Sequence, residues 1–177
     1  MEDIMRIISD RKYQLLAIAI LVTSLTAACS SNMRNVSDAP PDPVISVIDF
    51  QVEDMNLTQA RAVTDRVTYY LGRHKGLKII EREDAEKIFD ETGFQMSGAC
   101  DTDECISQVG KIVGASYMVA GKASKAGDFY HLDLRLINVT TGRMINHSFC
   151  DVRGMETLMT SGSESAVNEL LAEINRN

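Results

Sequence analysis

The fold is decided by residues 98–122, which read GACDTDECISQVGKIVGASYMVAGK. Cys100 and Cys105 stand close together near its start, and the run Asp101-Thr102-Asp103 between them carries side-chain oxygens that can cap the first turn of a helix. A helix is therefore expected to begin within the cysteine pair.

An amphipathic helix and a buried strand follow in the same stretch. Gly114 is placed to end the helix, and the unbroken apolar run at 117–120 predicts a short strand that is buried on both faces of a sheet. The helical face is predicted from apolar residues that recur every three or four positions, namely Cys105, Ile106, Val109, Ile112 and Val113.

The residues before this stretch predict a β-α-β unit. Residues 44–50, which read VISVIDF, have the composition of a central strand. Asn56 and Gln59 have the spacing of a capping box, which predicts the start of a helix. A second strand at 77–81 is then expected to lie parallel to the first, with a right-handed crossover.

The remaining patterns predict helices around a hairpin. A short helix is expected at 83–92, two antiparallel strands at 130–139 and 143–151, and a helical tail from Met155 that is interrupted at 161–163. The predicted order is β-α-β-α-α-β-β-β-α. This is an α/β (α+β) fold with a single mixed sheet and helices packed on it. One of the last two strands is expected at the sheet's edge, where it could pair with another chain.

Composition limits the possible functions. The chain has 177 residues, of which 45% are hydrophobic and 24% are charged, so it has room for one globular domain. The formal net charge of −7 gives no basic face that could neutralise phosphates, and nucleic acid is not expected as a partner. The glycines form no phosphate-binding pattern and the three histidines have no ligand spacing, so no small-molecule substrate, cofactor, metal or catalytic residue is predicted.

The N-terminus predicts export and a lipid anchor. Residues 15–25 form an apolar run behind Arg11 and Lys12, with the length of a signal-peptide core. The sequence Leu-Thr-Ala-Ala-Cys at 25–29 resembles the lipobox of bacterial lipoproteins, which implies lipid attachment at Cys29. Ordinary cleavage after an A-x-A-like site is the alternative.

Three parts of the chain are expected. They are a lipoprotein signal peptide at 1–28, a lipid-anchored tether with prolines at 29–43, and an α/β domain at 44–177. The tether can span at most about 45 Å, since an extended residue covers about 3.3 Å. Ser30 follows the cysteine, which by the enterobacterial sorting pattern implies the outer membrane.

The cysteine pair has three possible roles. In an oxidising compartment a disulfide between Cys100 and Cys105 is favoured. A redox site and half of a metal site remain as alternatives, although the C-x-x-x-x-C spacing differs from C-x-x-C. Cys150 is expected to be a buried thiol rather than an intermolecular bridge.

Three segments resemble the CsgG/LpoB-like outer-membrane lipoprotein superfamily, whose core is similar to the N-terminal domain of TolB. They are 44–50 (VISVIDF), 77–84 (LKIIERED) and 98–145, and the part from Cys100 to Gly142 is the most specific. Members act by protein contact and not by catalysis. The resemblance therefore implies a non-enzymatic protein that faces the periplasm from the outer membrane and binds envelope proteins, with self-association left open.

Three functions follow as hypotheses. The first is a lipid-anchored interaction domain in outer-membrane assembly or secretion. It is CsgG-like but lacks pore hairpins, because the connections at 94–99 and 125–128 are too short for them. The second is a regulator of a cell-wall (peptidoglycan) synthase of the Lpo type, against which the short tether argues. The third is a thiol-disulfide protein that uses Cys100 and Cys105.

Overall fold

The computed structural model describes residues 42–94, 100–172 and 174. The predicted signal peptide, the lipid-attachment residue Cys29 and nearly all of the tether lie outside these residues. Within the described part of the chain, no helix is long and apolar enough to cross a membrane.

The strands form one mixed sheet, as the sequence predicts, but the described residues contain six strands and not the five expected. Five of them follow the order β3-β1-β4-β5-β6, and β2 pairs with β4 beyond the residues that pair with β1. The strands are β1 (Val44–Val47), β2 (Gln51–Glu53), β3 (Lys78–Ile80), β4 (Tyr117–Ala126), β5 (Phe129–Asn138) and β6 (Arg143–Arg153).

Several helix ends have recognisable capping chemistry. Asn56 and Gln59 form the predicted capping box, and Thr102 Oγ1 accepts a hydrogen bond of 3.2 Å from Cys105 N. Gly93 and Gly114 end two helices with positive φ, which glycine adopts without strain. The helices are α1 (Leu57–Gly72), α2 (Arg82–Thr92), α3 (Asp103–Val113), α4 (Met155–Thr157) and α5 (Ser163–Leu170), with a π-helical turn (Leu158–Gly162) before α5.

The predicted β-α-β unit is present. β1 is parallel to β3 on one side, with Ile45 opposite Ile79, and parallel to β4 on the other side, with Ile45 opposite Tyr117. β4, β5 and β6 continue as an antiparallel meander through two tight turns. The short apolar strand that the sequence predicts inside the sheet is thus central.

Three elements differ from the sequence prediction. The run at 44–50 forms a strand only to Val47, and the chain then leaves the sheet and returns at Gln51 to pair with Lys122. β4 continues to Ala126, well beyond its apolar start, because it pairs with β5 along ten residues. The apolar side of α2 is only half-buried, since this short helix lies at the margin of the sheet.

Each face of the sheet has its own hydrophobic cluster. One face packs against α1 and the C-terminal helices, and it buries the alternating residues Leu132, Leu134 and Leu136 of β5. The other face packs against α2 and α3 around Met118 and Ile137. Because β4, β5 and β6 are long, α2 and α3 cover only one end of this second face.

Candidate functional site

The uncovered end of the second sheet face is the candidate functional site, and we call it the open face. Its residues alternate with buried ones along three strands, so their side chains share one side of the sheet. They are Lys122 and Ser124 on β4, Phe129, His131, Asp133 and Arg135 on β5, and His147, Phe149, Asp151 and Arg153 on β6.

Most polar and charged side chains on the open face are paired with one another or with residues at its border. His147 Nε2 lies 2.9 Å from Asp133 Oδ2, and His131 pairs with Asp151 on the neighbouring strand. Such hydrogen-bonded side-chain pairs on adjacent strands stabilise a sheet surface. A binding partner therefore meets a face on which most polar side chains already have a partner.

An ion pair between β4 and β2 lies at the border of the open face. Lys122 Nζ lies 2.5 Å from Glu53 Oε2 of β2. Hydrogen bonding to Lys122 and its charge lower the pKa of Glu53, and the same contact raises the pKa of Lys122. Both side chains therefore stay charged across the neutral range.

Two aromatic side chains provide the apolar area of the open face. Phe149 is 62% exposed and Phe129 is 45% exposed. The ring of His147 stacks beside Phe149, and the guanidinium carbon of Arg153 lies 5.1 Å from the centre of the Phe129 ring. Large exposed aromatics together with arginine are typical of residues that dominate protein–protein binding.

The predicted cysteine pair borders this face. Cys100 and Cys105 form a disulfide in the structure, with their Cα atoms 5.6 Å apart. Arg135 on the open face donates one hydrogen bond to Asp103 Oδ1 (2.9 Å) and another to Asp101 O (3.0 Å). Both acceptors lie between the two cysteines, so Arg135 attaches the disulfide-closed loop to the sheet.

Cys150 lies on the opposite side of β6 and is a free thiol. It is half-buried, and desolvation, with the nearby charge of Asp151, raises the pKa of the thiol to about 11. Such a thiol is almost wholly protonated near neutral pH and reacts slowly. Within the described ranges, no group of three or more His, Cys, Asp or Glu residues could hold a metal ion.

A polar crevice of about 540 Å³ lies at the carboxyl ends of β1 and β3, and the sequence analysis missed it. Arg82 spans it, paired with Asp49 and, at 3.1 Å, with Asp65. Desolvation lowers the pKa of Arg82, but its hydrogen bonds to the two carboxylates raise it, and the net shift is upward. The sequence did carry a signal for this crevice. A charged residue follows each of the two parallel strands, and parallel sheets bind ligands at that edge.

Comparison with known proteins identifies the family. The model of the family described as "Peptidoglycan-synthase activator LpoB" matches residues 16–147, which is more than half of the chain. The chain belongs to the LpoB family. No curated protein sequence matches the chain significantly.

Three solved structures share the fold. The LpoB C-terminal domain from Escherichia coli is 18% identical, with a TM-score of 0.52, over 66% of this chain and 87% of that one. Lipoprotein GNA1162 from Neisseria meningitidis is 15% identical, with a TM-score of 0.50, over 77% of this chain and 96% of that one. TolB from Acinetobacter baumannii is 13% identical, with a TM-score of 0.50, over 76% of this chain and 29% of that one. These likenesses support the predicted TolB-like α/β core.

The family corrects the order of the functional hypotheses. Regulation of a peptidoglycan synthase, which the sequence analysis places second, is supported better than outer-membrane assembly or secretion, and the family shown is LpoB rather than CsgG. The reach of the tether alone does not exclude a synthase partner, because the domain adds its own length. The ten-residue strand β5 is about 33 Å long. An activator family also agrees with the expectation that the chain is not an enzyme.

Proposed function

We propose that this protein is a lipid-anchored envelope protein that activates a peptidoglycan synthase by binding it through the open face. The family supports activation of a synthase, and the observation that carries the choice of surface is the exposure of Phe149 and Phe129 on a face whose charges are paired. The role is regulatory, because binding and not chemistry is what such a surface supplies.

Burial of the two aromatics would provide the main attraction. Covering a phenylalanine side chain contributes about 1.5–3 kcal/mol, before the costs of association are subtracted. The polar side-chain pairs around the rings are already formed, so they need little reorganisation on binding. They would act as the polar rim that excludes water around the aromatic centre.

The anchor and the compartment are part of the proposal. Lipid on Cys29 would hold the domain at the periplasmic side of the outer membrane, and residues 29–43 would act as the tether. The disulfide between Cys100 and Cys105 fits an oxidising compartment of this kind. The partner is then a synthase whose soluble part projects toward the outer membrane.

The test is a glycan-polymerisation assay. The full-length protein is purified in detergent and added to each purified peptidoglycan synthase of the source bacterium, and the rate of lipid II consumption is measured. We expect at least one synthase to be stimulated and Phe129→Ala to reduce its stimulation by about tenfold, which corresponds to about 1.4 kcal/mol of binding. The matched control is Leu57→Ala, which truncates a residue that is 70% exposed on α1, away from the open face.

The control variant distinguishes an error in the binding surface from an error in the proposed activation. Stimulation that survives Phe129→Ala but is lost with Leu57→Ala would move the binding surface to α1. If none of the synthases responds to the unaltered protein, the proposed activation itself is wrong.

A further inference from the structure

We propose that strand β6 pairs with β6 of a second copy of this chain, antiparallel and centred on Phe149, so that two sheets join edge to edge. The interaction surface is the outer backbone edge of β6. The proposal does not depend on a synthase, since it concerns only contacts between copies.

β6 is the last strand of the sheet, so its outer edge faces away from the other strands. Gly154 N donates a hydrogen bond of 3.0 Å to Asp128 O, just beyond the paired ends of β5 and β6. In an antiparallel ladder the hydrogen-bonded pairs recur at every second residue. The backbone groups of residues 148, 150 and 152 therefore face β5, and those of 149, 151 and 153 face outward.

Beyond its first turn-side residues, this edge has few of the features that prevent strand pairing, which include short length, proline, lysine and β-bulges. The bulge of β6 lies at Ile145, before the stretch from His147 to Arg153. β6 has eleven residues, RMINHSFCDVR, with neither proline nor lysine. One backbone group is occupied, because His147 N donates a hydrogen bond of 2.9 Å to Asn146 Oδ1. The outward groups from Phe149 onward have no such side-chain acceptor beside them among the bonds of the described residues.

Complementary side chains select the register. When two copies of β6 pair about Phe149, the two phenylalanine rings stand opposite each other. His147 of one copy then stands opposite Asp151 of the other, on both sides of the centre. Each copy already has His–Asp pairs on its own open face. Together with the pairs between copies, they form a row of alternating histidine and carboxylate side chains across the β6–β6 contact.

Shifted registers lose this match. Centring the pair on Asp151 places two carboxylates opposite each other, which is destabilising on adjacent strands. Centring it on Cys150 places Phe149 against Asp151 of the second copy and Arg153 against His147. The register on Phe149 is the one that combines an aromatic pair with unlike polar partners.

The expected association is weak in dilute solution and stronger on a membrane. Pairing along one strand edge buries less than the roughly 1,200 Å² of a stable interface. Proteins held on one surface meet at a higher effective concentration, which favours a weak contact. The paired copies would also place their open faces side by side, as one continuous surface.

The test is cysteine crosslinking of the full-length protein in intact cells, in a Cys150→Ser background. Phe149→Cys should form a disulfide-linked dimer on mild oxidation, because opposite residues in a hydrogen-bonded pair have Cα atoms about 5.5 Å apart, within disulfide range. The matched control is Phe129→Cys, which places an exposed thiol on the same face but one strand farther from the β6–β6 contact. That variant should remain monomeric on a non-reducing gel.

A second pair of variants tests the register. His147→Cys and Asp151→Cys should crosslink when expressed together, and each alone should not, because identical positions are then offset by four residues, about 14 Å. Absence of the Phe149→Cys dimer, or equal crosslinking of Phe129→Cys, would overturn the proposal. Repeating the oxidation on protein purified without a synthase shows whether the contact forms in the absence of that partner, so the outcome is independent of the proposed activation.

Discussion

Arg135 Nη1 lies 2.9 Å from Asp103 Oδ1, and this ion pair fixes the first turn of α3 to the middle of β5. Both side chains are only about 30% exposed, so solvent screens the contact less than it does an exposed surface pair. A second bond, from Arg135 to Asp101 O, holds the backbone of the same loop. The start of the helix that defines the fold is thus tied directly to the candidate interaction surface.

Arg135→Ala should lower the free energy of unfolding by about 1 kcal/mol, because it removes two hydrogen bonds whose acceptors keep partial access to solvent. Urea denaturation followed by circular dichroism measures the change. Arg143→Ala, which removes an exposed arginine at the start of β6, is the control and should change stability by less than about 0.5 kcal/mol. Equal effects of the two substitutions would mean that the Arg135 contacts contribute nothing specific.

The cysteines should separate into one bond and one free thiol. A non-reducing peptide map of protein taken from its native compartment is expected to join Cys100 to Cys105 and to leave Cys150 unpaired. The disulfide closes a loop of about six residues, which in the chain-entropy model stabilises the protein by only about 2 kcal/mol. Recovery of both Cys100 and Cys105 as free thiols would contradict the assignment and reopen the redox and metal alternatives.

Cys150 should react slowly with iodoacetamide in the folded protein. Burial raises its pKa to about 11, against an ordinary value of 9.0, so the thiolate fraction at pH 8 is lower by on the order of 100-fold. The raised pKa also makes the stability of the folded state depend on pH. The folded state holds the thiol proton more tightly, so stability falls as pH rises above about 9. Alkylation rates with and without 8 M urea measure the effect, and equal rates would show that the thiol is not protected.

Gly110→Ala should destabilise the domain although alanine is the better helix former. A Cβ at Gly110 would lie 2.5 Å from Val139 Cγ2 and 2.8 Å from Met118 Cγ, so α3 would have to move off the sheet. Such overpacking costs about 1–3 kcal/mol, against about 1 kcal/mol gained in helix propensity. Gly72→Ala is the matched control, because its Cβ would lie 3.8 Å from Ile79 Cγ1, an ordinary contact. Thermal unfolding should rank the control at or above the unaltered protein, and the reverse order would refute this account of α3 packing.

Cys29→Ala should release the protein from membranes into the periplasmic fraction. The substitution removes the thiol to which the lipid is expected to attach, so the predicted anchor is lost. Fractionation and incorporation of a labelled fatty acid measure the two consequences. A variant that stays in the membrane fraction, together with a native protein that takes up no label, would rule out the lipoprotein assignment.

Local chemistry allowed much of the fold to be predicted. Asn56, Thr102 and Gly114 act where the sequence places them, because caps depend on a few neighbouring residues. The break after Val47 was not predictable, since VISVIDF is uniformly suited to a strand and the break depends on how the chain meets β4. The π-helical turn is a similar case: the interruption near Gly162 was predicted, but its i→i+5 form depends on packing against β6.

The candidate site was predictable only in part. Alternation along β5 showed that His131, Asp133 and Arg135 share the polar side of a strand, but the sequence did not show that α2 and α3 stop short of them. The cysteine pair stands out in the sequence by its short spacing. Its attachment to Arg135 joins residues more than thirty positions apart, and no local pattern carries that information.

The sheet order has a consequence for how the chain folds. Ile45 of β1 is made first, but its partner Tyr117 in β4 lies about seventy residues later, whereas β4, β5 and β6 pair through two short turns. Hairpins close within microseconds, and distant pairings form more slowly because they close a long loop. The C-terminal meander is therefore expected to assemble early and to act as the template on which the N-terminal strand docks. The first strand to be synthesised is then among the last to be buried, so a chaperone that protects the new chain should bind at VISV.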